Sequence, residues 1–207
     1  MKFIYLWPLA LVILDHTAFA VETKQLGPIP YTVSNKLAAK LLPDISVLGH
    51  VAGAVYRDDP QGEQGHDPAR SGFTLQEIEL ALQSNIDPYF RADVFLGFSE
   101  HGVEIEEAFA TTTALPKGLQ IRAGKFFLPF GRQNAKHLEV QNFANNTLPN
   151  KLLFGAENLN ETGLELNYSL PLPFFLQLRG AVTNGDNEDN FNGARKQDLL
   201  YLGRIES

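Results

Sequence analysis

Residues 77–98 read Glu77-Ile78-Glu79-Leu80-Ala81-Leu82-Gln83-Ser84-Asn85-Ile86-Asp87-Pro88-Tyr89-Phe90-Arg91-Ala92-Asp93-Val94-Phe95-Leu96-Gly97-Phe98, two alternating runs joined at an Asp-Pro turn. A period of two places successive side chains on opposite faces of a strand. In the first run Ile78, Leu80, Leu82 and Ile86 share one face, and Glu77, Glu79 and Gln83 share the other. In the second, Phe90, Ala92, Val94, Leu96 and Phe98 oppose Arg91 and Asp93. The pattern predicts an antiparallel hairpin with one apolar and one charged face.

The same alternation recurs on both sides of this hairpin, predicting strands near 44–56, 73–86, 89–98, 103–113, 119–127, 163–170, 174–183 and 198–206. Leu119, Ile121 and Ala123 oppose Gln120 and Arg122; Leu164, Leu166, Tyr168 and Leu170 oppose Glu165 and Asn167; Leu176, Leu178 and Val182 oppose Gln177 and Arg179. In 103–111, Glu104 and Glu106 share a face, and the simple period then sets Glu107 beside Val103, Ile105 and Phe109. Two resolutions are open: Glu107 lies at a rim, or a bulge at Glu106-Glu107 resets the face.

The connections fall into two classes. Asp87-Pro88, Leu115-Pro116-Lys117-Gly118 and Pro171-Leu172-Pro173 are tight, whereas 57–72, 128–162 and 184–197 are long and polar; only 99–102 is short where a long loop is expected. Short turns at one end and long loops at the other suit a barrel in an outer membrane. The N-terminus fits that destination: Met1-Lys2, an apolar run over 3–14 and Ala18-Phe19-Ala20 make a secretory signal cleaved after Ala20, too short for a spanning helix. Residues 21–42 then form a periplasmic lead-in, with a helical turn or two around 35–42, and 43–207 form the barrel. A net charge of −7 argues against nucleic acid as partner, and the absence of cysteine removes a disulfide scaffold. The 15 Phe, 6 Tyr and 17 Gly suit aromatic girdles and closely spaced strands.

The stretch Gly118-Leu119-Gln120-Ile121-Arg122-Ala123-Gly124-Lys125-Phe126-Phe127-Leu128-Pro129-Phe130-Gly131-Arg132 resembles a strand and loop of phosphate-selective porin O/P-like outer-membrane proteins. Pro43-Asp44-Ile45-Ser46, Glu106-Glu107-Ala108-Phe109 and Thr183-Asn184-Gly185-Asp186 fit the same comparison and are also similar to zinc-regulated, TonB-dependent outer-membrane receptors. The resemblance implies an all-β, antiparallel, up-and-down transmembrane barrel of about sixteen strands. This chain supplies about eight and ends on Ser207 rather than an aromatic residue, so it is expected to be the N-terminal half of a longer protein. A plugged receptor is disfavoured, because residues 22–42 are too few for a separate folded domain.

The function so implied is passive diffusion of small solutes, with anions such as phosphate as one class, and no covalent chemistry. Its partners would be outer-membrane lipid, small-molecule or anion solutes and, for the full-length protein, two further copies in a homotrimer. Lumen-lining candidates are Glu77, Glu79, Arg91, Asp93, Glu104, Glu106, Arg122, Glu165 and Arg179; constriction-loop candidates are Arg132, Lys136 and Lys151. Charged rings in a narrow passage select ions, but interleaved Glu and Arg also pair to satisfy a polar interior, and both readings stand.

Elsewhere the chemistry is sparse. Histidines at 16, 50, 66, 101 and 137 have no ligand spacing, and no metal or cofactor is expected, although His66-Asp67 and Glu100-His101 could meet an ion at the outer mouth. The run 186–190 could hold Ca²⁺ through oxygen ligands but reads as a flexible acidic loop, and the glycosylation triplets at Asn145, Asn160 and Asn167 read as chance matches. No zinc-protease helix, phosphate loop or nucleophile elbow is present. The alternative to a channel is a secreted or periplasmic β-sandwich that binds carbohydrate or another small ligand, or acts on it with Glu104 and Glu106 as acid and base.

Overall fold

The computed structural model describes residues 43–58, 65–68, 70–100, 102–137, 140–141, 146–155, 158–185, 187, 191 and 198–207. Eight strands run in chain order: β1 Asp44–Ala54, β2 Gly72–Asn85, β3 Phe90–Ser99, β4 Gly102–Thr112, β5 Leu119–Phe127, β6 Asn160–Ser169, β7 Gln177–Thr183 and β8 Leu200–Glu206. Each pairs antiparallel with the next in a single meandering sheet. The turns follow their residues. Asp87 Oδ1 accepts the backbone N–H groups of Tyr89 and Phe90 at 2.7 and 2.8 Å, an Asx turn that closes the β2–β3 hairpin.

The sheet does not close. β1 pairs with β2 and β8 with β7, and both outer strands are edges. This corrects the transmembrane barrel expected from the sequence. The porin channel, its lumen, the passage of anions, the lipid partner, the homotrimer and the outer-membrane placement all rested on that closure and fall with it. Alternation reports that a strand has two unlike faces; it carries no information on whether the first and last strands meet. No helix among the described residues is long and apolar enough to cross a membrane. The expected signal at 1–20 and lead-in at 21–42 lie outside the described residues.

The packed face of the sheet is the charged one. Glu77, Glu79, Asp93, Glu107, Glu161 and Glu165 are all less than a tenth exposed, whereas Ile45, Val47, Phe73, Val103, Leu164 and Ile205 on the other face are 57–83 % exposed. The described parts of the β5–β6 connection, 128–137, 140–141, 146–155 and 158–159, cover the charged face and include the helix α1, Leu148–Phe154. Leu128, Phe154 and Leu159 of this loop form a small apolar core with Phe126 of β5 and Ala181 of β7, flanked by Phe109, Leu200 and Leu202. From that core the loop reaches outward in both directions. Arg204 of β8 donates to Pro129 O at 3.1 Å and also to Gly131 O, while Lys151 pairs with Asp67 in the β1–β2 connection.

Asn134 fastens the base of the loop. Fully buried, it donates to Leu128 O and Leu159 O at 2.8 and 2.9 Å and accepts from Leu159 N–H at 2.7 Å, bridging the exit of β5 and the entry of β6. Asn134→Ala strands these backbone groups away from water and is expected to cost about 2–3 kcal/mol in urea unfolding. A loss below about 0.5 kcal/mol would mean that water replaces the amide.

Candidate functional site

Two β-bulges add side chains to the covered face, Gln76 in β2 and a second consecutive carboxylate in β4. In β2 the register with β1 steps from His50↔Glu77 to Val51↔Leu75, with Gln76 as the extra residue of the bulge. In β4 the register with β3 steps from Phe95↔Glu107 to Leu96↔Ile105, leaving Glu106 unpaired. A bulge turns two consecutive side chains to one side. Gln76 and Glu77 are therefore both buried, and Glu106 and Glu107 both face the loop. The anomaly at Glu107 is resolved as a bulge: this carboxylate is 7 % exposed rather than at an apolar rim.

Glu77 and Glu106 converge over β3. Gly97 of β3 lies opposite Glu79 of β2 and Glu104 of β4. A Cβ at position 97 would collide with Glu77 Oε1 and come within 3.1 Å of Glu106 Oε1, so the glycine makes room for the two carboxyl groups. Glu77 is 2 % exposed, and its Oε1 finds no hydrogen-bond donor.

His137, from the covering loop, enters from the other side. Its Nδ1 lies 3.1 Å from both Glu79 Oε2 and Glu106 Oε2, and its Nε2 lies 2.8 Å from Glu107 Oε2. Carboxylates on both ring nitrogens make the side chain an imidazolium that donates from each. Phe95 and Phe127 hold the ring, the latter edge-on, at centroid distances of 5.0 and 5.3 Å. Glu107 is fixed in turn, its Oε1 accepting Phe127 N–H at 2.9 Å, and Asn160 Nδ2 donates to Glu106 O at 2.6 Å. On the far side His66 is held by the bulged Gln76 through a reciprocal pair: His66 Nδ1 to Gln76 O at 2.9 Å and Gln76 Nε2 to His66 O at 3.0 Å. His66 Nε2 lies 3.4 Å from Glu104 Oε1.

The electrostatics follow from crowding. Burial pushes the Glu77 carboxyl up to about 9, with the adjoining Glu106 adding to the rise. Burial works to raise Glu106 too, but bonds from His137 and Glu77 and the charges of His137 and His66 hold it down at about 2. For His137 burial favours the neutral ring, and the bonds to Glu106, Glu107 and Glu79 outweigh it, raising the imidazolium to about 12.

Of the residues singled out from the sequence, Glu77, Glu79, Glu104 and Glu106 meet here. The others are spread along the sheet in local pairs. Arg122 bonds Glu165 directly across β5–β6 at 3.1 Å and lies over the rings of Phe126 and Phe109, Arg91 forks onto Asp93 two residues along its own strand, and Arg179 donates to Gln177. Among the loop candidates Arg132 is exposed, Lys136 is half-buried and Lys151 is paired with Asp67. His66 was weighed only with Asp67, as a pair that could meet an ion at the outer mouth, and Glu107 and His137 were not singled out as site residues; His101 and most of 186–190 lie outside the described residues. The misplaced alternation at Glu107 was the one sequence signal of the bulge, and nothing local marked His137.

No family model matches the chain, which removes the support for the porin-family resemblance, and no solved structure matches. The chain is 41 % identical over 138 residues, 67 % of its own length, to a protein of Aquifex aeolicus (strain VF5) described as an uncharacterized protein. The match spans 29 % of that relative's length.

Proposed function

We propose that the chain is a binding module without covalent chemistry, whose site for a small cationic ligand lies between the charged face of β2–β4 and the β5–β6 loop. The observation that carries this reading is Glu77, a buried carboxyl whose Oε1 has no donor and which is pressed against Glu106. Burial beside Glu106 keeps a proton on Glu77, and a cation seated between the two would displace that proton and compensate both carboxylates. Five acidic side chains, Glu77, Glu79, Glu104, Glu106 and Glu107, converge here with two imidazoles, His66 and His137. That balance favours a cation over phosphate. Acid–base hydrolysis of a sugar is less well supported: Glu106, the expected partner of Glu104, has its Oε2 engaged by His137 and its Oε1 turned toward Gly97 and Glu77.

A thermal-shift series on the full chain tests the reading, using ammonium, putrescine and divalent metal chlorides against phosphate, glucose and maltose. At concentrations about a hundredfold above the dissociation constant, a ligand that binds only the folded state adds about 2.7 kcal/mol. At least one cation is expected to raise the midpoint by several degrees in the native protein and by much less in Glu77→Gln. Stabilisation by phosphate or sugar, with none by any cation, would sink it.

A further inference from the structure

We infer that the cation is a first-row divalent metal ion bound directly by His66 Nε2, Glu77 and Glu106, with Glu104 at the solvent side of the site. This rests on the cation-binding reading above and names its ligand.

The donor atoms of His66, Glu77 and Glu106 all lie within 4.8 Å of one another. Metal–nitrogen and metal–oxygen bonds of about 2.0–2.2 Å require donors roughly 3–4 Å apart, which small side-chain rotations supply. The tautomer of His66 is already set. Gln76 O can only accept, so His66 Nδ1 carries a proton, and in the neutral ring the lone pair resides on Nε2, on the side of Glu104. An imidazole whose Nδ1–H is held by a carbonyl is the usual preparation of a metal-binding histidine. Glu106 is oriented in the same manner: His137 takes Oε2, and Oε1 turns toward Gly97 and Glu77. His137 is therefore a positioning residue, engaged by Glu79, Glu106 and Glu107.

In the second group that meets the same distance limit, Glu79, Glu106 and His137, the ring nitrogens are already engaged by carboxylates, with no lone pair left for a metal. The first group contains the buried oxygen without a donor. Glu104, with its side chain 42 % exposed, leaves a route from solvent and a further oxygen ligand. One imidazole with two or three carboxylates suits ions of the manganese-to-zinc series better than Ca²⁺, which takes six to eight oxygens.

The test is titration calorimetry of the chelator-treated full chain with Zn²⁺, Mn²⁺ and Ca²⁺, together with the visible spectrum of the Co²⁺ complex. One equivalent of Zn²⁺ or Mn²⁺ is expected to bind at least ~100-fold more tightly than Ca²⁺. Glu77→Gln and His66→Ala should each weaken it by at least ~10-fold and alter the Co²⁺ spectrum. Gly97→Ala is the sharper probe. Its new methyl group meets most closely the flexible side chains of Glu77 and Glu106 rather than backbone, so the urea midpoint should stay near the native value while metal affinity falls. Glu100→Gln, in the exposed β3–β4 turn, should change neither. Metal binding indifferent to both His66→Ala and Glu77→Gln would overturn the assignment. If putrescine or ammonium binds in a Glu77-dependent way while no metal does, the metal falls and the cation site stands. If no cation binds, both fall.

Discussion

Replacing His137 with alanine is expected to destabilise the metal-free protein by about 3–5 kcal/mol at neutral pH, measured by urea unfolding in the presence of chelator. The ring is a small part of the fold, but it supplies the positive charge between Glu79, Glu106 and Glu107, and its side chain is 13 % exposed. Alanine leaves that group of acids around a gap, and it frees the β5–β6 loop from β2 and β4. A loss below about 1 kcal/mol would mean that water already screens these charges.

The same residue gives the stability a definite pH profile. His137 has its folded value raised from 6.5 to about 12 by Glu106, Glu107 and Glu79 acting against burial, so its contribution is complete below about 6.5 and is lost as pH rises toward 12. Glu77, faced by Glu106, Glu79 and His66, has its folded value raised from 4.5 to about 9; the folded state keeps a proton that the unfolded chain releases, and stability falls over that interval. Glu106, lowered from 4.5 to about 2, loses its contribution as pH falls through that range. The three together place the cluster's greatest contribution near pH 4.5, with the steepest loss between about 6.5 and 9, where Glu77 and His137 act in the same direction. In His137→Ala the alkaline limb should be shallower. An unfolding midpoint that rises between pH 6.5 and 9 in the native protein would contradict the assignment.

The hairpin at 77–98 was legible because its information is local: alternation fixes the faces, and Asp87 followed by Pro88 fixes the turn. Glu107 was legible as an anomaly, since a carboxylate in an apolar register demands either a rim or a bulge. Closure was not legible. It depends on whether β1 meets β8, and no residue in Asp44–Ala54 or Leu200–Glu206 records the answer. The family resemblance rested on short motifs at 43–46, 106–109, 118–132 and 183–186, and no family model matches the chain. His137 was invisible for a different reason. Its partners are roughly thirty residues or more away in sequence, and Glu106 and Glu107 face it together only because the β4 bulge turns both toward a loop anchored by Asn134.

Gly124→Val is expected to cost about 3–5 kcal/mol, combining strain at a positive φ with overpacking. Gly124 has φ +137°, and a Cβ there would collide with Ala108 O and come within 2.6 Å of Phe109 Cα. These are backbone atoms of β4, which cannot swing aside as a side chain does. Gly163, directly opposite Gly124 across β5–β6, is in the same position toward β7: its Cβ would collide with Val182 O and lie 2.6 Å from Thr183 Cα. The facing glycines let neighbouring strands approach the β5–β6 pair closely, a role glycine fills where a sheet bends. The close approach matters to the site, because the start of β6 meets the β4 bulge, where Asn160 bonds Glu106 O. Gly180→Val and Gly203→Val are the controls. A Cβ at either position meets nothing within 4 Å, and both should stay within about 1 kcal/mol of the native protein. If all three variants unfold at the same urea concentration, the close approach at β5–β6 is not a feature of the folded chain, and the alignment of Glu106 with Glu77 must come from the bulges alone.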